Sequence, residues 1–385
     1  MRVAMSLLAF RPGRIGGAET YLRALLAHLP REIAPGDRLA VVMDRDVAAG
    51  LETPGFERVV VPKGARRVVA ERVLEAFTPW RARDLERLFA SLGADVLFFP
   101  QQSLYPRRAA GPAVITAVDV QHLAFPEYFG AFDRHYRARV YPPSMEAARA
   151  VVAISEFTRT ELIERCGVAP GKVVAIPLGT TPLDVRGVVP YPGLATPYLY
   201  YPAASHPHKN HETLLRSYAA LRRAGRIPHR LVLSGAPTSR WPALARLAEA
   251  LGIAADVRHL GFLSYADVHR VYAGADAVVF PSRYEGFGLP VVEAVAHGKR
   301  AVVSDLPVFR ELGVPDAWRI DFADPEQLAA ALARPGPTVL ARPPPTWTEC
   351  ARRTLATLRS VAERGSLDAA GEPFSPPASG RAPTS

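Results

Sequence analysis

The sequence predicts an α/β protein built as two doubly wound, Rossmann-like domains facing each other across a cleft. Three observations lead there. Apolar runs of strand length alternate with amphipathic segments along most of the chain. The alternation stops at a proline- and glycine-rich stretch, "PLGTTPLDVRGVVPYPGLATP" (177–197), and restarts after it. The length, 385 residues, exceeds what one ordinary hydrophobic core organises.

In order, the first series offers strands at 2–8, 39–43, 58–62, 95–100, 113–118, 150–155 and 172–177. Helices fall between them at 17–29, 81–92, 133–149 and 156–166. The second series has strands at 198–202, 230–235, 256–261, 277–281 and 300–305, with helices at 210–224, 242–251, 265–273, 290–297 and 325–333. Continuous apolar strands, each followed by a helix, imply parallel sheets covered on both faces. Ligands of such sheets bind beyond the carboxyl ends of the strands, so a candidate residue should follow a strand directly. The domains are expected at 1–185 and 186–345. A last helix follows "ARPPPTW", and the tail 365–385, poor in bulky apolar residues, reads as disordered.

Composition narrows the function classes. Hydrophobic content of 49% and charged content of 22% suit a soluble globular protein. No apolar run approaches the roughly 20 residues of a membrane-spanning helix. The start, "MRVAMSLLAFRPGR", reads as a buried strand rather than a signal peptide. Cys166 and Cys350, the only cysteines, exclude a disulfide scaffold and suit a reducing cytoplasm. Net charge is +10, carried almost wholly by dispersed arginine, since Lys63, Lys172, Lys209 and Lys299 are the only lysines. Without a basic tract, nucleic acid is not the expected partner. Weak peripheral attraction to an anionic membrane, at the inner face, stays open.

The most informative stretch is "SRYEGFGLPVVEA" (282–294). It leaves a strand and enters a helix whose first turn contains Pro290, where proline is tolerated because the first helical N–H groups lack partners. Those free N–H groups and the helix dipole form an anion site. Gly286 and Gly288 allow close backbone approach. Glu293, one turn into the helix, suits a vicinal diol such as ribose, and Glu285 on the rim suits sugar hydroxyls.

"YEGFGLPVVEA" resembles the Glu-(seven residues)-Glu signature of retaining glycosyltransferases of family 4, which have the GT-B fold. "GGAETYLRALLAHL", "ADVLFFP", "AISEFTRTEL", "KVVAIPLG", "LVLSGAP" and "HLGFLSYADVHRVYAGADAVVFPS" follow the family's order and spacing, and "PHKNHETLL" is similar to a subgroup rich in mannosyltransferases. The resemblance implies a hexosyltransferase, with GDP-mannose as donor and a glycan or lipid-linked acceptor. It implies that the helix 346–364 returns to the first domain, and that no divalent metal is needed.

Lys209, at a helix start beside His206, His208 and His211, opposes the helix dipole unless an anion such as a diphosphate compensates. No paired carboxylates stand near these histidines, so no metal site is expected. Many members carry an arginine before this lysine; here "PAASHPH" stands there, and Ser205 or a histidine takes over part of that contact. The backbone of Gly286, Phe287, Gly288 and Leu289 would hold the donor. Gly235, Phe262 and Leu263 match loops that contact the base, whereas Ser264 in "SYAD" reads as a helix cap. Gly16 and Gly17 open a helix without the Gly-x-Gly-x-x-Gly spacing of dinucleotide sites; the resemblance places them on the acceptor side. Asp119 and His122 follow a strand where relatives show His-Asp, although Val118 replaces that histidine. They either serve the reacting face or are an ordinary satisfied loop pair. Two other readings stand beside this one: an epimerase or phosphorylase of the same fold, and a non-enzymatic basic sugar- or nucleic-acid-binding protein.

Overall fold

The computed structural model describes residues 1–11, 16–78, 80–108, 110–180, 185, 187–342 and 344–367. Residue 186, where the second domain was expected to begin, and residues 368–385 of the expected tail lie outside them.

The first domain contains β1 (Arg2–Ser6), β2 (Arg38–Asp44), β3 (Glu57–Val61), β4 (Val96–Phe99), β5 (Ala113–Ala117), β6 (Ala150–Ala153) and β7 (Val173–Ala175). They form one parallel sheet in the order β3-β2-β1-β4-β5-β6-β7. The second contains β8 (Tyr198–Pro202), β9 (Arg230–Ser234), β10 (Val257–His259), β11 (Ala277–Phe280), β12 (Arg300–Ser304) and β13 (Arg319–Ile320). Their parallel order is β10-β9-β8-β11-β12-β13. Each sheet reverses direction of growth once, between β1 and β4 and between β8 and β11. The crevice outside such a switch point is where a doubly wound sheet binds ligand.

Burial explains the strand patterns. Every residue of β4, β5, β6 and β11 is buried, as expected for central strands covered by helices on both faces. The helices Gly17–Glu32, Glu156–Cys166, His211–Arg223 and Leu289–Ala296 start within two residues of their sequence-based expectations. Ser264 caps the helix Tyr265–Gly274 by accepting the Asp267 N–H at 3.1 Å. Helices at Arg45–Gly50, Ala65–Phe77, Gln121–Ala124 and Pro307–Glu311, and the two-residue β13, were not anticipated. The second of these helices escaped because its inward face carries Glu71 and Glu75. Lys63 (2.6 Å from Glu71) and the Arg107 backbone N–H satisfy them, and the acids interrupt the apolar stripe.

The last helix, Trp347–Arg364, lies against the first domain. Arg353 donates to the Ala175 carbonyl at 2.7 Å, Arg359 pairs with Asp37 at 2.5 Å, and His28 meets Thr348 at 3.1 Å. The two connections between domains touch where Thr180 bridges Thr346. Only glycine fits at 179, since a Cβ there would sit 2.4 Å from Trp347 Cα. Among the described residues no helix is long and apolar enough to cross a membrane.

Candidate active site

The loops after β8 and β11 flank the second domain's switch point, and they carry Lys209 and Glu285. Lys209 Nζ lies 2.6 Å from Glu285 Oε1. Ser282 Oγ donates to the same carboxylate oxygen at 2.7 Å. The loops are tied to each other independently, because the Arg283 N–H donates to the His208 carbonyl at 2.7 Å; the buried Tyr201 hydroxyl of β8 holds its own loop by donating to the Lys209 carbonyl at 2.8 Å. Both charged side chains remain partly exposed, so the pair is held in place and still open to a ligand. Of the neighbouring histidines, burial and the Lys209 charge push His208 down to about 2, and burial pushes His211 down to about 3. Both are neutral at physiological pH. Among the described residues no three His, Cys, Asp or Glu side chains are grouped to hold a metal ion.

Glu293 stands on the other side of the turn. It lines a pocket with Thr20, Gly179, Tyr265, Leu289 and Trp347. Burial pushes its carboxyl up to about 7, while a hydrogen bond from the Tyr272 hydroxyl at 3.2 Å pulls it back. Between the two glutamates, Gly288 adopts φ 110° and caps the helix Leu289–Ala296. A Cβ at 288 would meet Phe309 at 2.8 Å, so the tight turn and its packing both require glycine. Phe287 is buried, and Leu289 faces Gly17 of the first domain's opening helix, 3.7 Å from where a Cβ would sit.

Asp119 and His122 follow β5 on the facing domain. Burial raises the Asp119 carboxyl, opposed by the Gln121 N–H bonded at 3.1 Å and by the charge of Arg137. Glu285 raises it and Lys209 lowers it, which puts Asp119 in the same electrostatic neighbourhood as the pair across the cleft. His122 is buried edge-on against Tyr141, at 5.3 Å between ring centres. Burial and Arg137 push it down to about 4, so it is a neutral imidazole. Its Nδ1 has no partner among the described residues.

Two segments of the chain match known families. Residues 15–182 match the family description "Glycosyltransferase Family 4", and residues 194–334 match "Glycosyl transferases group 1". The two segments together cover most of the chain, one for each sheet.

The chain belongs to the glycosyltransferases of family 4 and group 1, with the GT-B fold.

Among its relatives, O-antigen chain mannosyltransferase B of Escherichia coli is 30% identical over 229 residues, 57% of this chain and 59% of that protein. O-antigen chain mannosyltransferase RfbU of Salmonella typhimurium is 30% identical over 147 residues, 36% of this chain and 40% of that protein. The glycosyltransferase thus matches about three-fifths or less of these curated relatives' length. Its fold is like that of sucrose-phosphate synthase from Thermosynechococcus elongatus, with TM-score 0.65, 18% identity, and 95% and 97% of the two chains covered.

Other expected site residues of the glycosyltransferase are more dispersed. Ser205 is buried and its hydroxyl is engaged with Thr238, whose N–H it accepts at 2.9 Å, so it joins two loops of the second domain. Gly235 (φ 126°) lets those loops cross, because a Cβ there would meet the Ala203 carbonyl carbon at 2.6 Å. Leu263 packs on the core, whereas Phe262 is 71% exposed. Gly16 (φ 50°) caps the first helix. Sequence reasoning missed Ser282, Tyr272, Arg137, Tyr284, Ser155 and Thr158. Ser282 and Tyr284 had a local signal, three residues and one residue before Glu285, although only packing brings the Tyr284 hydroxyl to the Val120 N–H at 3.3 Å; the others reach the site through tertiary packing.

Proposed function

We propose that this glycosyltransferase moves a hexosyl group from a nucleotide sugar to a hydroxyl of a glycan or lipid-linked acceptor, with retention of anomeric configuration. The single observation carrying this reading is the Lys209–Glu285 contact at the switch point of the second sheet. A donor diphosphate there would meet the lysine and the free N–H groups of residues 286–288, while Glu285 takes sugar hydroxyls and Glu293 the ribose. Ser205, Gly235, Phe262, Leu263 and Leu289 would complete the donor side, and Gly16 and Gly17 the acceptor side. No side chain on the reacting face is placed as an evident nucleophile. The reading is therefore same-face displacement: the acceptor oxygen bonds to the anomeric carbon as the bond to diphosphate breaks. The acceptor proton passes to a phosphate oxygen, and Asp119 and His122 orient the acceptor. Stabilisation of the departing diphosphate would dominate the rate.

Mannose from GDP-mannose is the proposed donor, supported by the names of the two curated relatives. Thermal-shift measurement with GDP-mannose, UDP-hexoses and free diphosphates tests it, since a bound donor raises apparent stability by mass action. A larger shift with a UDP-hexose would overturn the mannose assignment. Release of nucleotide diphosphate only in the presence of acceptor separates transfer from epimerisation.

The same reading places the enzyme in the cytoplasm with one face against an anionic membrane. Two adjoining helices of the first domain, Ala65–Phe77 and Ala131–Ala147, support it. Phe77 stacks on Phe132 at 5.5 Å, Phe132 is 63% exposed, and Arg139 lies over the Phe77 ring. Glu71 and Glu75 turn inward while Arg66, Arg67, Arg134 and Arg139 remain exposed. Exposed aromatics rimmed by arginine suit the interface of an acidic bilayer.

A further inference from the structure

Ser155 and Thr158 begin the helix Glu156–Cys166 of the first domain, yet their hydroxyls are directed at the second. Ser155 Oγ accepts the Thr158 N–H at 2.9 Å, which is the ordinary helix cap. The cap uses Ser155 only as an acceptor. Its proton faces two acceptors, the Gly286 carbonyl at 2.7 Å and Thr158 Oγ1 at 3.0 Å, and Thr158 Oγ1 in turn donates to the Gly286 carbonyl at 3.2 Å, so the two hydroxyls hold that oxygen together. Both side chains are fully buried. The same helix terminus is held from the second domain a second time, because the Glu311 carboxylate accepts the Glu156 and Phe157 N–H groups at 2.8 Å each.

The consequence lies in the peptide that follows. A trans peptide holds the N–H of one residue opposite the carbonyl of the residue before it. Drawing the Gly286 carbonyl onto the helix therefore turns the Phe287 N–H away from that helix. Among the described residues, the N–H groups of Gly286, Phe287 and Gly288 donate to no protein acceptor. The contacts cross between domains, so a separation of the domains at this point would break them and free the peptide to rotate.

We propose that Ser155 and Thr158 are positioning residues whose grip on the Gly286 carbonyl, available only in the closed enzyme, aims the Phe287 N–H at an oxygen of the bound donor. This rests on the reading of residues 285–289 as the donor loop. Closure and the electrostatic stabilisation of the departing group become one event, because a preorganised donor acts only while its orientation is fixed.

The test compares Ser155→Gly/Thr158→Val with Ser155→Thr, on full-length enzyme. Glycine is a tolerated cap and valine keeps the threonine shape, so the double variant removes both donated protons with little change in the helix. Threonine at 155 keeps cap and proton. The expected result is a kcat at least ~10-fold lower in the double variant, with donor Kd changed less than about threefold, and near-normal kcat in Ser155→Thr. In wild type labelled with ¹⁵N-phenylalanine, the Phe287 amide signal should shift on adding the nucleotide sugar, and shift less in the double variant. A double-variant kcat within about twofold of wild type, or a Phe287 amide indifferent to a donor that calorimetry shows to be bound, overturns the proposal. Should the double variant not fold, Thr158→Val alone carries the same comparison. Failure of every nucleotide sugar to bind the wild type would sink the donor-loop reading itself, and this proposal with it.

Discussion

Lys209 and Glu285 stand 76 residues apart in sequence and 2.6 Å apart in space. Each follows a strand, β8 and β11, that neighbours the other in the sheet. The contact gives the lysine a counter-charge in a partly buried site, while Ser282 takes one lobe of the same oxygen. Among the described residues Glu285 Oε2 has no protein partner, and on the proposed reading it would accept from a sugar hydroxyl.

Lys209→Ala and Glu285→Ala should each fold like wild type and lower kcat/KM at least ~10²-fold, the scale for one preorganised contact. The double variant should lose less than the product of the two, because neighbours in one network are not additive. Steady-state kinetics on the three variants decides this. Turnover at the wild-type rate in either single variant removes that residue from the site.

Glu293 should link pH to stability and, as the proposed ribose ligand, to donor binding. Its carboxyl is pushed up to about 7 from an ordinary 4.5, so between those values the native state holds more proton than the unfolded one. Stability must then fall as pH rises through that window, with the loss complete above it. Glu293→Gln should remove this slope and stabilise the protein at pH 8 by on the order of 1–3 kcal/mol. Ribose hydroxyls donating to the carboxylate would favour its charged form, so donor binding near neutral pH should release a proton. Calorimetry in buffers of different ionisation enthalpy measures it; proton uptake on binding would exclude the ribose role.

Gly286 lies where the two domains are packed together. A Cβ on it would lie 2.2 Å from the Val118 carbonyl oxygen. Gly286→Ala should therefore prevent full closure without disturbing either sheet. The expected result is at least a ~10²-fold loss of kcat, a small change in Tm and a larger radius of gyration with donor bound. Small-angle scattering indistinguishable from wild type, together with unchanged kcat, would show that the cleft does not need to close this far.

The aromatic and arginine surface makes its own forecast. Wild type should sediment with vesicles containing phosphatidylglycerol but not with pure phosphatidylcholine, and the binding should weaken steeply with salt. Phe77→Ser/Phe132→Ser should lose most of this binding while keeping turnover on a soluble acceptor. Equal sedimentation of the variant, or concentration-dependent dimerisation through this face instead, would end the membrane assignment.

Much of the turn between Glu285 and Glu293 was legible because it is local. The strand exit, Gly286, Gly288, Pro290 and Glu293 lie within a dozen residues, and their spacing is itself the structural requirement. The helix Ala65–Phe77 was not legible, because Glu71 and Glu75 face inward and their partners, Lys63 and Arg107, come from other segments. Nor was Tyr272 as the partner of Glu293, which arrives from the preceding helix 21 residues away.

What the chain's own pattern determined was the pair of parallel sheets and the loop chemistry at their carboxyl ends, since apolar periodicity, glycine and proline act on neighbours. What only tertiary structure decided was who meets whom. Lys209 finds Glu285, Ser155 finds the Gly286 carbonyl, and Glu311 caps a helix of the other domain. Those contacts depend on strand order and on how far two domains close, and neither quantity is written in the spacing of residues along one segment.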